Sequence, residues 1–140
     1  MHLVGQFPEM FKAAAVRNPV TNIASMFGTT DIPDWCFTEI GVDPQYAQPT
    51  PEQYSKALEA SPVHHVSKVT SPVLLLVGGA DRRVPPAQSK EYFHAMKAGG
   101  RDVDMRWYAD HTHGLTETPR GEGDGLVHIV KFFDKALKAK

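Results

Sequence analysis

The sequence predicts an α/β fold, with parallel strands near residues 13–17, 73–77 and 103–108 and helices flanking them, and three observations carry that prediction. Val73 to Val77 is an uninterrupted apolar pentad between Ser71-Pro72 and Gly78-Gly79, the pattern of a strand covered on both faces. Val103 to Tyr108 alternates Val103, Met105 and Trp107 against Asp104 and Arg106, as a half-buried strand does. Segments at helical spacing follow each of these runs, and strand, helix, strand, helix is the order of a parallel α/β layer.

The elements follow in order. "MHLVGQFPEMF" opens directly on apolar periodic sequence with no capping residue, as a segment interior to a larger domain does, and Pro8 ends the helical part. Ala14-Ala15-Val16, closed by Asn18-Pro19, forms a short buried strand. "NIASMFG" is a helical turn ended by Gly28. "DIPDWCFTEIG" is a helix with Asp31 as cap, Pro33 in the first turn and Gly41 as stop. "QPTPEQYSKALEA" is a helix capped by Thr50, with Pro51 at its first position and Gln53 completing a capping box. "PPAQSKEYFHAMKAGG" begins at proline, buries Tyr92, Phe93 and Met96, and stops at Gly99-Gly100. The last helix places Leu126, Ile129, Val130, Phe133 and Leu137 on one buried stripe and ends in a lysine-rich turn. "TPRGEGDG", before it, has the composition of a flexible loop.

Bulk properties narrow the function. The 140 residues are 41% hydrophobic, enough for one domain or a piece of one, and the formal net charge of −1 lacks the basic footprint of nucleic-acid or anionic-membrane binding. No signal peptide or transmembrane run is present. The single cysteine, Cys36, has no disulfide partner within the chain, which suits a cytoplasmic protein. No cofactor motif or metal-ligand spacing occurs: His64-His65 and the pair His111 and His113 lack a carboxylate or cysteine at zinc-site spacing. Cys36, in "PDWCFTE", stands in no glycine-flanked turn and reads as a buried structural thiol.

In open parallel sheets, chemistry gathers outside the carboxyl ends of the strands. Asp81 lies four residues past Val77, and His113 occupies the corresponding place after the Val103–Tyr108 strand. A carboxylate beside an imidazole fixes its tautomer and stabilises the imidazolium that forms when the ring takes a proton. Taken singly, Asp81 has the alternative reading of a turn residue or helix cap, and His113 that of an ordinary loop histidine. Together, in the order acid then base, they match the last two members of the α/β-hydrolase triad, which runs Ser, Asp, His.

These residues carry a resemblance. "SPVHHVSKVTSPVLLLVGGADRRVPPAQSKEYFHAMKAGG" followed by "YADHTHGL" resembles the C-terminal catalytic segment of the prolyl oligopeptidase family of serine peptidases. "GQFPE", "RNPVTNIASMFGTTDIPDWC" and "DRRVP" narrow it to the family's acylaminoacyl-peptidases. The resemblance implies the C-terminal portion of an α/β-hydrolase fold over residues 1–140, with Asp81 as triad acid and His113 as triad base and no role for His111. It implies hydrolysis that frees an N-acylated residue from the N-terminus of a peptide, and assembly as a homo-oligomer. It also implies that Ile32, Trp35 and Phe37 line the pocket for the acylated residue, against ordinary helix packing as the alternative. Arg83 either turns into the cleft to hold a substrate carbonyl or carboxylate, or forms a surface salt bridge.

The family nucleophile is a serine in a G-x-S-x-G elbow, and none of Ser25, Ser55, Ser61, Ser67, Ser71 and Ser89 stands in one. The expectation is an acid and a base whose nucleophile, oxyanion-hole donors and β-propeller lie in upstream sequence, so that the chain alone is inactive. The missing flank of the sheet would leave apolar side chains in water. Two other readings stand beside this one: a non-catalytic truncated isoform acting as an interaction module, and a fragment of a general carboxylesterase, against which "DIPDWC" argues.

Overall fold

Val73–Gly78 (β2) is buried at every position and sits between Ala14–Arg17 (β1) and Val103–Tyr108 (β3) in a three-stranded, all-parallel sheet of order β1-β2-β3. Its register pairs Leu75 with Val16 on one side and Met105 on the other. The continuous apolar run has its cause in this central place, because alternate side chains leave in opposite directions and both directions lead into protein. The computed structural model describes residues 1–44 and 48–138.

One face of the sheet gathers Val73, Leu75 and Val77 with Val4, Val69, Tyr92, Met96 and Val103. Tyr92 and Met96 come from Ala87–Ala98 (α4), the crossover helix between β2 and β3, and Val4 from the short helix His2–Gln6 (α1). The opposite face packs Leu74 and Leu76 against Leu115, Ile129 and Phe132, the last two from Pro119–Lys138 (α5). A second core lies off the sheet. There Cys36 and Ile40 of Pro33–Glu39 (α2) and Ala57 of Pro51–Glu59 (α3) meet Ile23, Met26 and Val84.

Local chemistry explains the helix ends. Thr50 and Gln53 form the expected reciprocal capping box, and Gly41 and Gly100 adopt φ of +66° and +67° where their helices stop. A buried glutamine fastens the segment after β1 to α4: Gln88 accepts from the amides of Thr21 (3.0 Å) and Asn22 (2.7 Å) and donates to Asn22 O (2.9 Å) and Ser25 Oγ (2.7 Å). Among the described residues no helix is long and apolar enough to cross a membrane.

Four expectations are corrected in this part of the structure. The cap of α2 is Ile32, because the Asp31 carboxylate is occupied by Arg83, 2.7 Å away. Trp107 is 43% exposed, since β3 is an edge of this sheet, and Lys90 Nζ lies over its ring, 4.6 Å from the centroid. Gly125 is the buried position of α5, with Ile129, Phe132, Phe133 and Ala136 half-buried beside it; of the expected stripe Leu126, Val130 and Leu137 are exposed. Gly125 faces Leu76, where a Cβ would stand in ordinary contact 3.4 Å from Leu76 Cδ2, and Tyr108 Oη donates to Asp124 at 2.9 Å, tying β3 to the start of α5. Phe93 is half-buried rather than buried.

The central strand sets the stability of the whole. Leu75 is fully buried, and Leu75→Ala is expected to cost about 2–5 kcal/mol, read as a lower urea midpoint at unchanged slope.

Candidate active site

The site begins with two glycines. From Gly78 at the end of β2 the chain turns through Gly79, Ala80 and Asp81, and past β3 it runs through residues 109–118 before α5. A Cβ on Gly78 would stand 2.5 Å from Thr112 O and 2.6 Å from His111 O, and one on Gly79 2.6 Å from Ala109 O. These are backbone atoms that no rotamer change removes, so the two loops touch only because both residues lack a side chain. The contact is then stitched by backbone bonds from Gly79 N to Tyr108 O (2.8 Å) and from Ala80 N to His111 O (3.0 Å).

Asp81 and His113 meet across that seam. The Asp81 carboxylate has no exposed surface: Oδ1 accepts from the amides of Arg83 (2.8 Å) and Val84 (2.9 Å), and Oδ2 lies 2.8 Å from His113 Nδ1. An ionised carboxylate only accepts, so the ring proton sits on Nδ1 and Nε2 keeps its lone pair. The His113 side chain is 49% exposed. The result is a half-open imidazole whose inner nitrogen is held by a buried acid that two backbone amides fix in place.

The next layer holds the loop. Glu117 Oε1 accepts from Thr112 N (2.7 Å) and from the Thr112 hydroxyl. Those two bonds, the hydroxyl's first, hold the Glu117 carboxyl well below the usual range, at about 2. His111 turns the other way, its ring buried against Gly121 in the first turn of α5 and its Nδ1 3.1 Å from Glu117 Oε2.

The expected pocket residues divide. Arg83 forms an exposed ion pair through Nε with Asp31, and Thr30 Oγ1 donates to Arg83 O at 2.7 Å, so the segment before α2 is tied to the turn that carries Asp81. Trp35 and Ile32 are half-buried. Phe37 is 2% exposed, its ring edge-on to Phe27 at 4.8 Å, so it packs as a core residue. Cys36 is fully buried, and burial pushes its thiol up to about 11, leaving a neutral, unreactive group. Among the described residues no cluster of His, Cys, Asp and Glu could hold a metal ion.

Sequence reasoning had no signal for Glu117, which reads as one more acidic residue in a polar loop. It did mark Gly78-Gly79, but as a turn rather than as a place of contact.

Residues 1–140 match the model of the prolyl oligopeptidase family. The acylamino-acid-releasing enzyme of Mus musculus is 44% identical over 132 residues, covering 92% of this chain and 18% of that enzyme. The acylamino-acid-releasing enzyme of Arabidopsis thaliana is 42% identical over 139 residues, covering 98% and 18%. Among solved structures, Pyrococcus horikoshii acylaminoacyl peptidase superposes with a TM-score of 0.83 at 23% identity, over 97% of this chain and 22% of that one. The fold is therefore the α/β-hydrolase portion expected from the sequence, and the chain spans about a fifth of the length of the curated relatives it matches.

Two outcomes follow from this geometry. Gly78→Ala is expected to push the 109–118 loop off the Asp81 turn at a cost of about 1–3 kcal/mol, with loss of the Asp81–His113 bond visible in the His113 ring resonances. Because the folded Glu117 carboxyl lies at about 2, below its ordinary 4.5, it contributes stability that is present above the unfolded value and lost as pH falls through the folded one. The Thr112 amide shift should therefore titrate near pH 2, and Glu117→Gln should abolish that step.

Proposed function

Since this chain belongs to the prolyl oligopeptidase family, we propose that it forms the C-terminal part of a serine-peptidase catalytic domain, with Asp81 as the acid and His113 as the base of the triad. The observation that supports this most is the 2.8 Å contact of His113 Nδ1 with a buried carboxylate that two further amides hold in place. That arrangement leaves Nε2 as the basic atom.

The chemistry follows. His113 Nε2 takes the hydroxyl proton of the nucleophilic serine as its oxygen bonds to the scissile carbonyl carbon, and Asp81 stabilises the imidazolium so formed. The same Nε2–H then passes its proton to the leaving amine as the C–N bond breaks, leaving an ester on the serine. Water attacks that ester, again giving up its proton to Nε2, and the acid product leaves as the proton returns to the serine oxygen. No serine of this chain stands in a G-x-S-x-G elbow, so the nucleophile comes from sequence upstream of these residues, together with the oxyanion-hole donors and a β-propeller.

The substrate is a peptide with an acylated N-terminus, as the names of the relatives indicate for those enzymes. Acylation removes the terminal charge, and the half-buried Ile32 and Trp35 offer a neutral, largely apolar surface to such a group. Arg83 is held by Asp31 through Nε at 2.7 Å, with Nη2 a weaker 3.5 Å from the second oxygen, which leaves donors to bond a substrate carbonyl. The reading of Arg83 as a surface ion pair and as a substrate contact are thus compatible.

In the complete enzyme, His113→Ala is expected to lower kcat by about 10⁶ and Asp81→Asn by about 10⁴, the sizes known for such members of serine-peptidase triads. Retained turnover in His113→Ala would remove the base assignment. Fluorophosphonate labelling followed by intact-mass analysis should tag the complete enzyme once and leave this chain unmodified; a stoichiometric adduct on the chain would mean that it carries its own nucleophile.

A further inference from the structure

His113 is half exposed, so side-chain packing does little to hold it, and Asp81 fixes only the inner edge of its ring. What fixes the backbone beneath it lies on β1. Asn18, the residue after that strand, is 5% exposed with φ of +40°, a left-handed conformation that asparagine tolerates better than most residues. Its backbone amide continues the ladder to Leu76 O at 2.9 Å, and its Oδ1 accepts from Gly78 N at 2.7 Å. Its Nδ2 donates across to Thr112 O (3.2 Å) and His113 O (2.8 Å). Arg17 Nη2 takes the next two carbonyls, Gly114 O at 2.8 Å and Leu115 O at 3.3 Å.

We propose that Arg17 and Asn18 form a positioning clamp for the base: two adjacent side chains gripping the four consecutive carbonyls from Thr112 to Leu115. The clamp closes on a loop that ends under strain, since Leu115 is a non-glycine residue at φ of +54° and is buried against Leu74 and Leu76. Asn18 also holds Gly78, where the Asp81 turn begins. Acid and base are therefore referenced to one side chain just past the end of β1. Neither Arg17 nor Asn18 touches substrate in this scheme; both act through His113, and the proposal rests on His113 being the base. Misplacing a reacting group by about 1 Å costs on the order of 10²-fold in rate.

The test uses the complete enzyme. Asn18→Gly keeps the backbone conformation and removes the amide. It is expected to lower kcat about 10²-fold at nearly unchanged KM, and to broaden or abolish the downfield proton resonance of His113 Nδ1. Arg17→Ala, at an exposed position that folding tolerates, should lower kcat less, and Arg17→Lys should restore most of it because one cationic donor returns. Unchanged kcat in both Asn18→Gly and Arg17→Ala would overturn the clamp, as would a kcat loss with the Nδ1 resonance intact. His113→Ala in parallel separates the two ideas: turnover surviving that change sinks the base assignment, whereas the Nδ1 resonance in the Asn18 and Arg17 variants reports the clamp in either case.

Discussion

The close approach of two loops at Gly78 and Gly79 is the constraint on which the site depends. Without it Asp81 and His113, 32 residues apart in sequence, would face each other across a gap that no side-chain rotation closes. The sheet alone does not achieve this, because neighbouring parallel strands are separated by about 4.8 Å and their following loops diverge unless something draws them in. Two missing side chains permit the approach, and the Asn18 amide, the Glu117 carboxylate and the stitched backbone hold it. Polar groups at such a seam cost free energy when left unpaired, so the density of hydrogen bonds there is what makes the contact stable as well as close.

The same accounting explains why the acid is so rigid and the base so open. Asp81 accepts two amides of its own turn and meets one nitrogen, so its position is set by local backbone. His113 is set from outside, by strands and loops on either side, and keeps one face to solvent. A proton-transferring group needs that combination: an orientation fixed by its surroundings and an outer atom left free.

How much of this was legible in the sequence depends on whether a feature is local. The Val73–Val77 run, the Thr50 capping box and the Asp81 and His113 placements all follow from patterns within about ten residues, and the structure has them where expected. Features that depend on what the partner surface offers did not follow. The α5 stripe was read from the spacing of large apolar residues, but Ile129 and Phe132 pack on the sheet while Leu126, Val130 and Leu137 are exposed, because spacing does not say which arc of a helix meets a partner. Trp107 alternates correctly yet ends up exposed, because alternation says which face a residue shares and not whether that face is covered so far along an edge strand. Asp31 looked like a cap until the structure supplied Arg83, and Asn18 looked like the end of a strand because its four partners lie 58 to 95 residues away.

The second core has a bearing on how such a protein can diverge. The layer built on α2 and α3 has its own apolar centre, apart from the faces of the sheet, and the short run from Arg82 to Val84 ties it to the acid: Arg82 O accepts from Asp31 N at 3.0 Å, Arg83 binds Asp31 and Thr30, and Val84 packs into that centre while its amide holds Asp81. Mutational drift in the covering layer therefore reaches the acid through a narrow joint. On the proposed reading, changes at Ile32 or Trp35 can accumulate as nearly neutral variation as long as the joint keeps its form, so the surface beside the site varies while the Asp81–His113 contact stays.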